Sequence, residues 1–305
     1  MNESIAQALA ATANAEHTSD VIRATNAIYR PLHIGTPPTT HAEFRDIAYG
    51  TDSRHRLDLV VPEGAGPLRP VFMFVHGGGF IGGDKTTPGS PFYGNIPLWA
   101  AHSGYIGINI TYRLAPLHRY PAGADDVAAA VRWTRENITT YGGDPDSIVI
   151  MGHSAGATHV ACCVARGEGG IAGIALLSGV YDFADFVKAE ASANLEAYLG
   201  CNGAIFREAS PLGGLVESGL PILFACAEFD PPSFQRQTVL LLDALFELKG
   251  TFPNVHFAAG HNHFSTVLHI GAQNTHDRIL SDRLSDLITS VHARRYGAIS
   301  KGERH

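Results

Sequence analysis

The sequence predicts an α/β fold: a mostly parallel central sheet flanked by helices, with a small N-terminal helical segment as a candidate cap. Short apolar runs alternate with stretches of helical periodicity along most of the 305 residues. One such run, Ile148-Val149-Ile150-Met151, leads straight into Gly152-His153-Ser154-Ala155-Gly156. Another, Pro70–Val75, leads into His76-Gly77-Gly78-Gly79-Phe80. Parallel sheets collect their chemistry at the carboxyl ends of strands, which is where both glycine-rich stretches would lie.

Taken in order, residues 1–43 hold apolar helical stretches around Ile5–Ala15 and Val21–Tyr29, forming either a cap or a layer on the body of the sheet. Phe44–Tyr49 and His55–Val61 read as an antiparallel hairpin at one sheet edge, turning at Gly50-Thr51-Asp52. Further strands are expected near 71–76, 105–112, 147–151, 172–178, 221–227 and 254–259. Helices are expected near 92–103, 123–138, 155–167, 233–248 and 276–293. Within the fourth of these, Val239, Leu240, Leu242, Leu245 and Phe246 recur at helical spacing and are expected to face the sheet. The main domain is drawn at 44–297, with a tail at 298–305.

Composition fits one globular domain. With 45% hydrophobic and 17% charged residues the chain can bury a large core. Its net charge of −7, from 22 basic and 29 acidic residues without a basic cluster, argues against nucleic acid as a partner. No apolar run approaches the roughly 20 residues of a membrane span, so no membrane association is expected. The N-terminal Met1-Asn2-Glu3-Ser4-Ile5 lacks the cationic start of a signal peptide, and a cytoplasmic location is expected. Cys162, Cys163, Cys201 and Cys226 show neither zinc nor redox spacing and read as reduced thiols. The oligomeric state stays open, a homodimer included.

The chemistry begins at Ser154. A serine flanked at two-residue spacing by glycines, between a strand and a helix, is exposed on a tight turn as a nucleophile. Gly152 and Gly156 have no Cβ, so strand and helix can approach closely there. The dipole of the helix from Ala155 onward favours negative charge developing beside the serine. Upstream, the glycines at 77–79 leave backbone N–H groups unobstructed, as stabilisation of a tetrahedral oxyanion requires, at about 3–4 kcal/mol per donor. A phosphate loop is the rival reading. The stretch has neither the Lys-Ser/Thr ending of a P-loop nor a G-x-G-x-x-G pattern.

These residues, with GDK at 83–85, YRLAP at 112–116, YPAGADD at 120–126, SGVYD at 178–182 and FDP at 229–231, resemble the hormone-sensitive-lipase-like esterase branch of the α/β-hydrolases. Bacterial carboxylesterases and arylformamidases are its relatives. The resemblance spans roughly residues 70 to 265. It implies an α/β-hydrolase fold, no cofactor, and oxyanion donors at the backbone N–H groups of Gly78, Gly79 and Ala155.

In this fold the triad runs in chain order Ser, Asp/Glu, His. Two carboxylates follow the strand-like Pro221–Ala227: Glu228 and Asp230. Asp230 matches the aspartate of the family's D-P element and is favoured. His261 and His263 compete for the base, and His263, followed by Phe264, matches the family's histidine-aromatic pair. Two histidines so close also raise a metal site, but no carboxylate or cysteine at ligand spacing accompanies them, so no metal is expected. His76 and His153 are read as supports of loop geometry, Asp84 and Lys85 as pins of the glycine loop or a solvated charge pair, and Arg113 as holding neighbouring carbonyls or the Asp125-Asp126 pair.

The function expected is hydrolysis of small to medium carboxylic esters, a small-molecule ester being the substrate. Ser154 attacks, His263 takes its proton, and an acyl-enzyme forms and is hydrolysed. An amidase or arylformamidase on the same triad is the first alternative. An inert small-ligand receptor on the same fold is an alternative of another class. The pocket is expected to be shaped by 1–43 and by 180–219, whose aromatics Tyr181, Phe183, Phe186, Tyr198 and Phe206 divide between pocket and core.

Overall fold

A computed structural model describes residues 3–11, 19–33, 41–189, 192–273 and 278–302. Parts of the expected N-terminal helical stretches, the first residues of the expected C-terminal helix and the end of the tail lie outside the described residues. The strands are β1 (His41–Ala48), β2 (Arg56–Pro62), β3 (Arg69–Val75), β4 (Ile106–Ile110), β5 (Gly143–His153), β6 (Gly173–Leu177), β7 (Ile222–Phe229) and β8 (Val255–Asn262). They form one eight-stranded sheet in the order β1-β2-β4-β3-β5-β6-β7-β8. The first two strands make the expected antiparallel hairpin at the edge, β2 pairs antiparallel with β4, and every pairing from β4 to β8 is parallel.

Two cores follow from strand periodicity. Along β3, Val71, Met73 and Val75 enter one core while Phe72 and Phe74 enter the other, and β5 divides Ile148 and Ile150 from Val149 and Met151 in the same way. The first face is covered by helices α4 (Ala122–Asn137), α5 (Ala155–Ala165) and α10 (Pro232–Lys249), and the second by α3 (Asn95–His102) and α12 (Ile279–Gly302). Helix α12 continues past residue 297.

The N-terminal segment forms α1 (Glu3–Ala10) and α2 (Ser19–Tyr29). Leu9 and Tyr29 are buried in the second core, so these helices pack on the body of the sheet. The long excursion between β6 and β7 holds α6 (Phe183–Ala189), α7 (Ala193–Leu199), α8 (Gly203–Glu208) and α9 (Leu212–Glu217), and α11 (Ser265–Leu268) follows β8.

One helix face departs from expectation. On α10 the buried positions are Ser233, Gln237, Thr238, Leu241 and Leu245, whereas Val239 and Phe246 are 62% and 43% exposed. The helix is turned by Gln237. Its Oε1 accepts from the backbone N–H groups of Tyr181 and Asp182 at 2.8 and 2.7 Å, so a polar side chain takes the place that periodicity assigned to leucine. Satisfied hydrogen bonds make that burial tolerable.

Candidate active site

Each candidate group stands just beyond the carboxyl end of a strand, and the parallel order β3-β5-β6-β7-β8 brings these ends side by side. The glycine loop follows β3, Ser154 follows β5, Ser178 follows β6, Asp230 follows β7 and His263 follows β8. Ser154 has φ 55°, a left-handed conformation that a non-glycine residue adopts only when its surroundings impose it. Here the imposition is local. The Ser154 N–H donates to Leu177 O of the neighbouring strand at 2.8 Å, and the Ser154 carbonyl accepts from Thr158 N in the first turn of α5 at 3.1 Å. A Cβ on Gly156 would lie 2.2 Å from the Val75 carbonyl oxygen, so glycine there lets α5 close on β3.

Asp230 is buried and uses both of its carboxylate oxygens. Its Oδ1 lies 2.6 Å from His263 Nδ1, and its Oδ2 accepts from Ser178 Oγ and Ala227 N, both at 2.7 Å. Since a carboxylate accepts, the imidazole carries its proton on Nδ1 and leaves Nε2 as the basic nitrogen. Burial pushes the His263 pKa down to about 3, so the resting ring is neutral. A carboxylate at hydrogen-bond distance then steadies the charge the ring acquires when it takes a proton.

The rival residues have other work. Glu228 is exposed, and its Oε2 accepts from Gly260 N at 2.6 Å, which braces the end of β8. His261 is buried with Nδ1 2.9 Å from Ser265 Oγ and its ring tilted against that of His269, centroids 4.5 Å apart. His153 places Nε2 2.8 Å from the His263 carbonyl oxygen and also lies against Gly77 of the glycine loop, where a Cβ would meet its Nδ1 at 3.0 Å. His76 does support that loop, with Nδ1 2.6 Å from Gly77 O and its ring stacked on Tyr112.

Lys85 pairs with Asp46 and Asp58 of the edge hairpin at 2.7 and 3.0 Å and leaves the glycine loop alone. The loop is held instead by Arg54, which donates to Gly83 O at 2.9 Å and to Tyr112 O at 2.6 Å. Arg113 grips Asp126 through Nε at 2.9 Å and Nη2 at 2.6 Å, while Asp125 pairs with Arg166.

A cavity of about 520 Å³ joins the site. Ser154, Ala155, His263 and Gly77–Gly79 line it together with Ile22, Tyr93, Val180, Phe186, Leu195, Phe234 and Phe264. Gly78 at φ 141° could not carry a side chain, because a Cβ would lie 2.1 Å from Gly82 O. Of the aromatics in 180–219, Phe186 lines the cavity, while Tyr181, Phe183 and Tyr198 are buried in the core and Tyr198 stacks on Phe80 at 4.4 Å. Phe206 lines a separate surface groove.

Sequence reasoning missed Ser178, Tyr93 and Phe234. Ser178 opens the SGVYD stretch, which was the available signal, and its φ of 50° aims a hydroxyl back at Asp230. Tyr93 and Phe234 carry no pattern that marks them. Among the described residues no group of three or more His, Cys, Asp or Glu side chains could hold a metal ion, and no helix is long and apolar enough to cross a membrane.

Comparison with known proteins agrees with this fold. Residues 72–238 match a family described as having the alpha/beta hydrolase fold. The chain is 29% identical over 296 residues to Esterase LipQ of Mycobacterium tuberculosis, covering 87% of this chain and 67% of that protein. It is 42% identical over 106 residues to Carboxylesterase NlhH of the same organism, a stretch that covers 33% of this chain and 31% of NlhH. Among solved structures, Esterase B from Lactobacillus rhamnosis superposes with a TM-score of 0.74 at 19% identity, over 97% of this chain and 99% of that one. An esterase from Pyrobaculum calidifontis superposes with a TM-score of 0.69 at 19% identity, over 97% and 99%.

Proposed function

The chain belongs to the α/β-hydrolase fold family, and on that premise we propose that it is a carboxylesterase-like serine hydrolase cleaving small to medium carboxylic esters. The observation that carries the reading is the Asp230–His263 pair at 2.6 Å opening on the same cavity as Ser154. In this reading His263 takes the Ser154 proton, the Ser154 oxygen attacks the ester carbonyl, and the alcohol leaves with the proton returned by His263. Water activated by the same imidazole then releases the acid. The backbone N–H groups of Gly78, Gly79 and Ala155 serve as the oxyanion donors, a role supported by their place on the cavity wall beside Ser154. Esterase LipQ and Carboxylesterase NlhH are named for ester cleavage, which supports the ester over the amide.

Residues 44–297 form the catalytic domain in this proposal, and 1–43 contribute Ile22 to the cavity wall. Free thiols at Cys162, Cys163, Cys201 and Cys226 support a reducing compartment, the cytoplasm. A fluorophosphonate probe tests the proposal directly. It should label wild type at Ser154 and leave Ser154→Ala unlabelled. Absence of label on the folded wild type would favour an inert ligand receptor, and faster turnover of anilides than of matched esters would favour an amidase.

A further inference from the structure

Asn262, the residue before His263, makes hydrogen bonds in two directions. Its Oδ1 accepts from the backbone N–H groups of Phe264 at 3.1 Å and Ser265 at 2.9 Å, closing the turn on which His263 stands. Its Nδ2 donates to Thr25 Oγ1 of α2 at 2.9 Å. The Thr25 hydroxyl donates its own proton to Val21 O at 2.8 Å, so toward Asn262 its oxygen can only accept. The carboxamide therefore has one workable orientation: oxygen to the two backbone donors, nitrogen to the threonine. Thr25 and Asn262 are 0% and 2% exposed, so removing the Thr25 hydroxyl takes an acceptor from a carboxamide held away from bulk water.

The rest of the N-terminal segment is tied to the same region. Gln273 N donates to Leu32 O at 2.8 Å, and His33 Nε2 lies 2.7 Å from Leu268 O at the end of α11. Ile22, one helical turn before Thr25, lines the cavity shared by Ser154 and His263. One helix thus borders the substrate space and reaches the turn that holds the base.

We propose that Thr25 is a positioning residue for His263: through Asn262, helix α2 fixes the turn that sets the imidazole against Ser154. The inference rests on the hydrolase reading above. It assigns the N-terminal segment to the chemical step itself, beyond any share in choosing substrates.

Thr25→Val removes the acceptor at nearly constant shape, and Thr25→Ser retains it. Both are compared with wild type for kcat and KM on p-nitrophenyl butyrate and octanoate, with thermal midpoints and fluorophosphonate titration of reactive serine. Because small misplacements of a reacting group are costly, Thr25→Val should lower kcat about tenfold on both esters with KM within about twofold, and Thr25→Ser should restore it. Ile22→Ala should act the other way, raising KM for octanoate more than for butyrate. Should Thr25→Val fail to fold, Thr25→Ala gives the same comparison with room for a water at Asn262. Wild-type kcat in a folded Thr25→Val or Thr25→Ala protein would overturn the proposal, as would a loss in Thr25→Ser equal to that in Thr25→Val. Unlabelled wild type refutes the hydrolase reading, whereas labelled wild type with an unimpaired Thr25→Val refutes the positioning role alone.

Discussion

Replacing Asp230 with asparagine changes one oxygen for an NH₂ group, and the site dictates where that group must go. The Oδ2 position faces the Ala227 N–H, a donor that cannot turn away, so the amide oxygen takes that side. The NH₂ group is then forced onto His263 Nδ1, where the carboxylate had accepted at 2.6 Å. Nδ1 must become the acceptor, the ring proton moves to Nε2, and Nε2 can no longer act as a base. The counter-charge for the imidazolium disappears at the same time. Wrong tautomer and lost charge together should lower kcat by about 10⁴-fold, or about 5 kcal/mol of transition-state stabilisation. Glu228→Gln leaves an acceptor for Gly260 N and should change kcat by less than about threefold, since the group is exposed and its carboxylate holds a backbone N–H rather than the imidazole. The assay is steady-state hydrolysis of p-nitrophenyl butyrate by both variants, with thermal unfolding to verify the fold. More than about one tenth of wild-type kcat in Asp230→Asn, or the reverse ranking of the two variants, would refute the reasoning.

Further outcomes follow from the same geometry. Ser154→Ala should lose about 10⁴-fold or more in kcat while unfolding at a temperature near that of wild type, and near-normal turnover would sink the mechanism. His263→Ala should remove activity across a whole series of esters, whereas His261→Ala, which lacks a place on the cavity wall, should change rates modestly or unevenly; uniform loss in the latter would transfer the role of base to His261. Burial lowers the pKa of His76 to about 4 and of His159 and His263 to about 3, all from 6.5, so the unfolded chain binds more protons in that interval. Stability should therefore be full above pH 6.5 and fall as the pH drops from there toward 3, and the acid limb of kcat/KM should lie below 6.5; a denaturation midpoint unchanged between pH 7 and pH 4.5 would contradict this. Acyl chains up to about six to eight carbons should be preferred, kcat/KM rising about fourfold per methylene from ~0.8 kcal/mol of burial, and efficient turnover of long-chain triglyceride emulsions would refute the limit.

The strand positions and the tight turn at Ser154 were legible because they rest on local chemistry. An apolar run cut by Gly-x-Ser-x-Gly has few other uses, and the edge hairpin announced itself through alternation and a turn. The face of α10 was not legible, because Gln237 is buried by backbone donors from residues 181 and 182, distant in sequence. Lys85 was misplaced for a like reason: its partners Asp46 and Asp58 come from a hairpin packed beside it only once β2 has joined β4. Ser178 and Thr25 act through single hydrogen bonds across the fold. Ordinary serines and threonines give no periodicity to read.

The excursion between β6 and β7 supplies Phe186, Asn194 and Leu195 to the cavity but none of Ser154, Asp230 or His263. Chemistry and appetite are thus inherited on different stretches of chain. A lineage could redraw the helices from α6 to α9 and acquire a new diet without disturbing the strand ends that carry Ser154, Asp230 and His263. The seam such a graft must respect is equally plain. Tyr198 lies flat on Phe80 at the end of the glycine loop, and its carbonyl accepts from Tyr120 N, so a transplanted excursion that lost this aromatic would arrive unmoored from the glycine-loop side of the cavity.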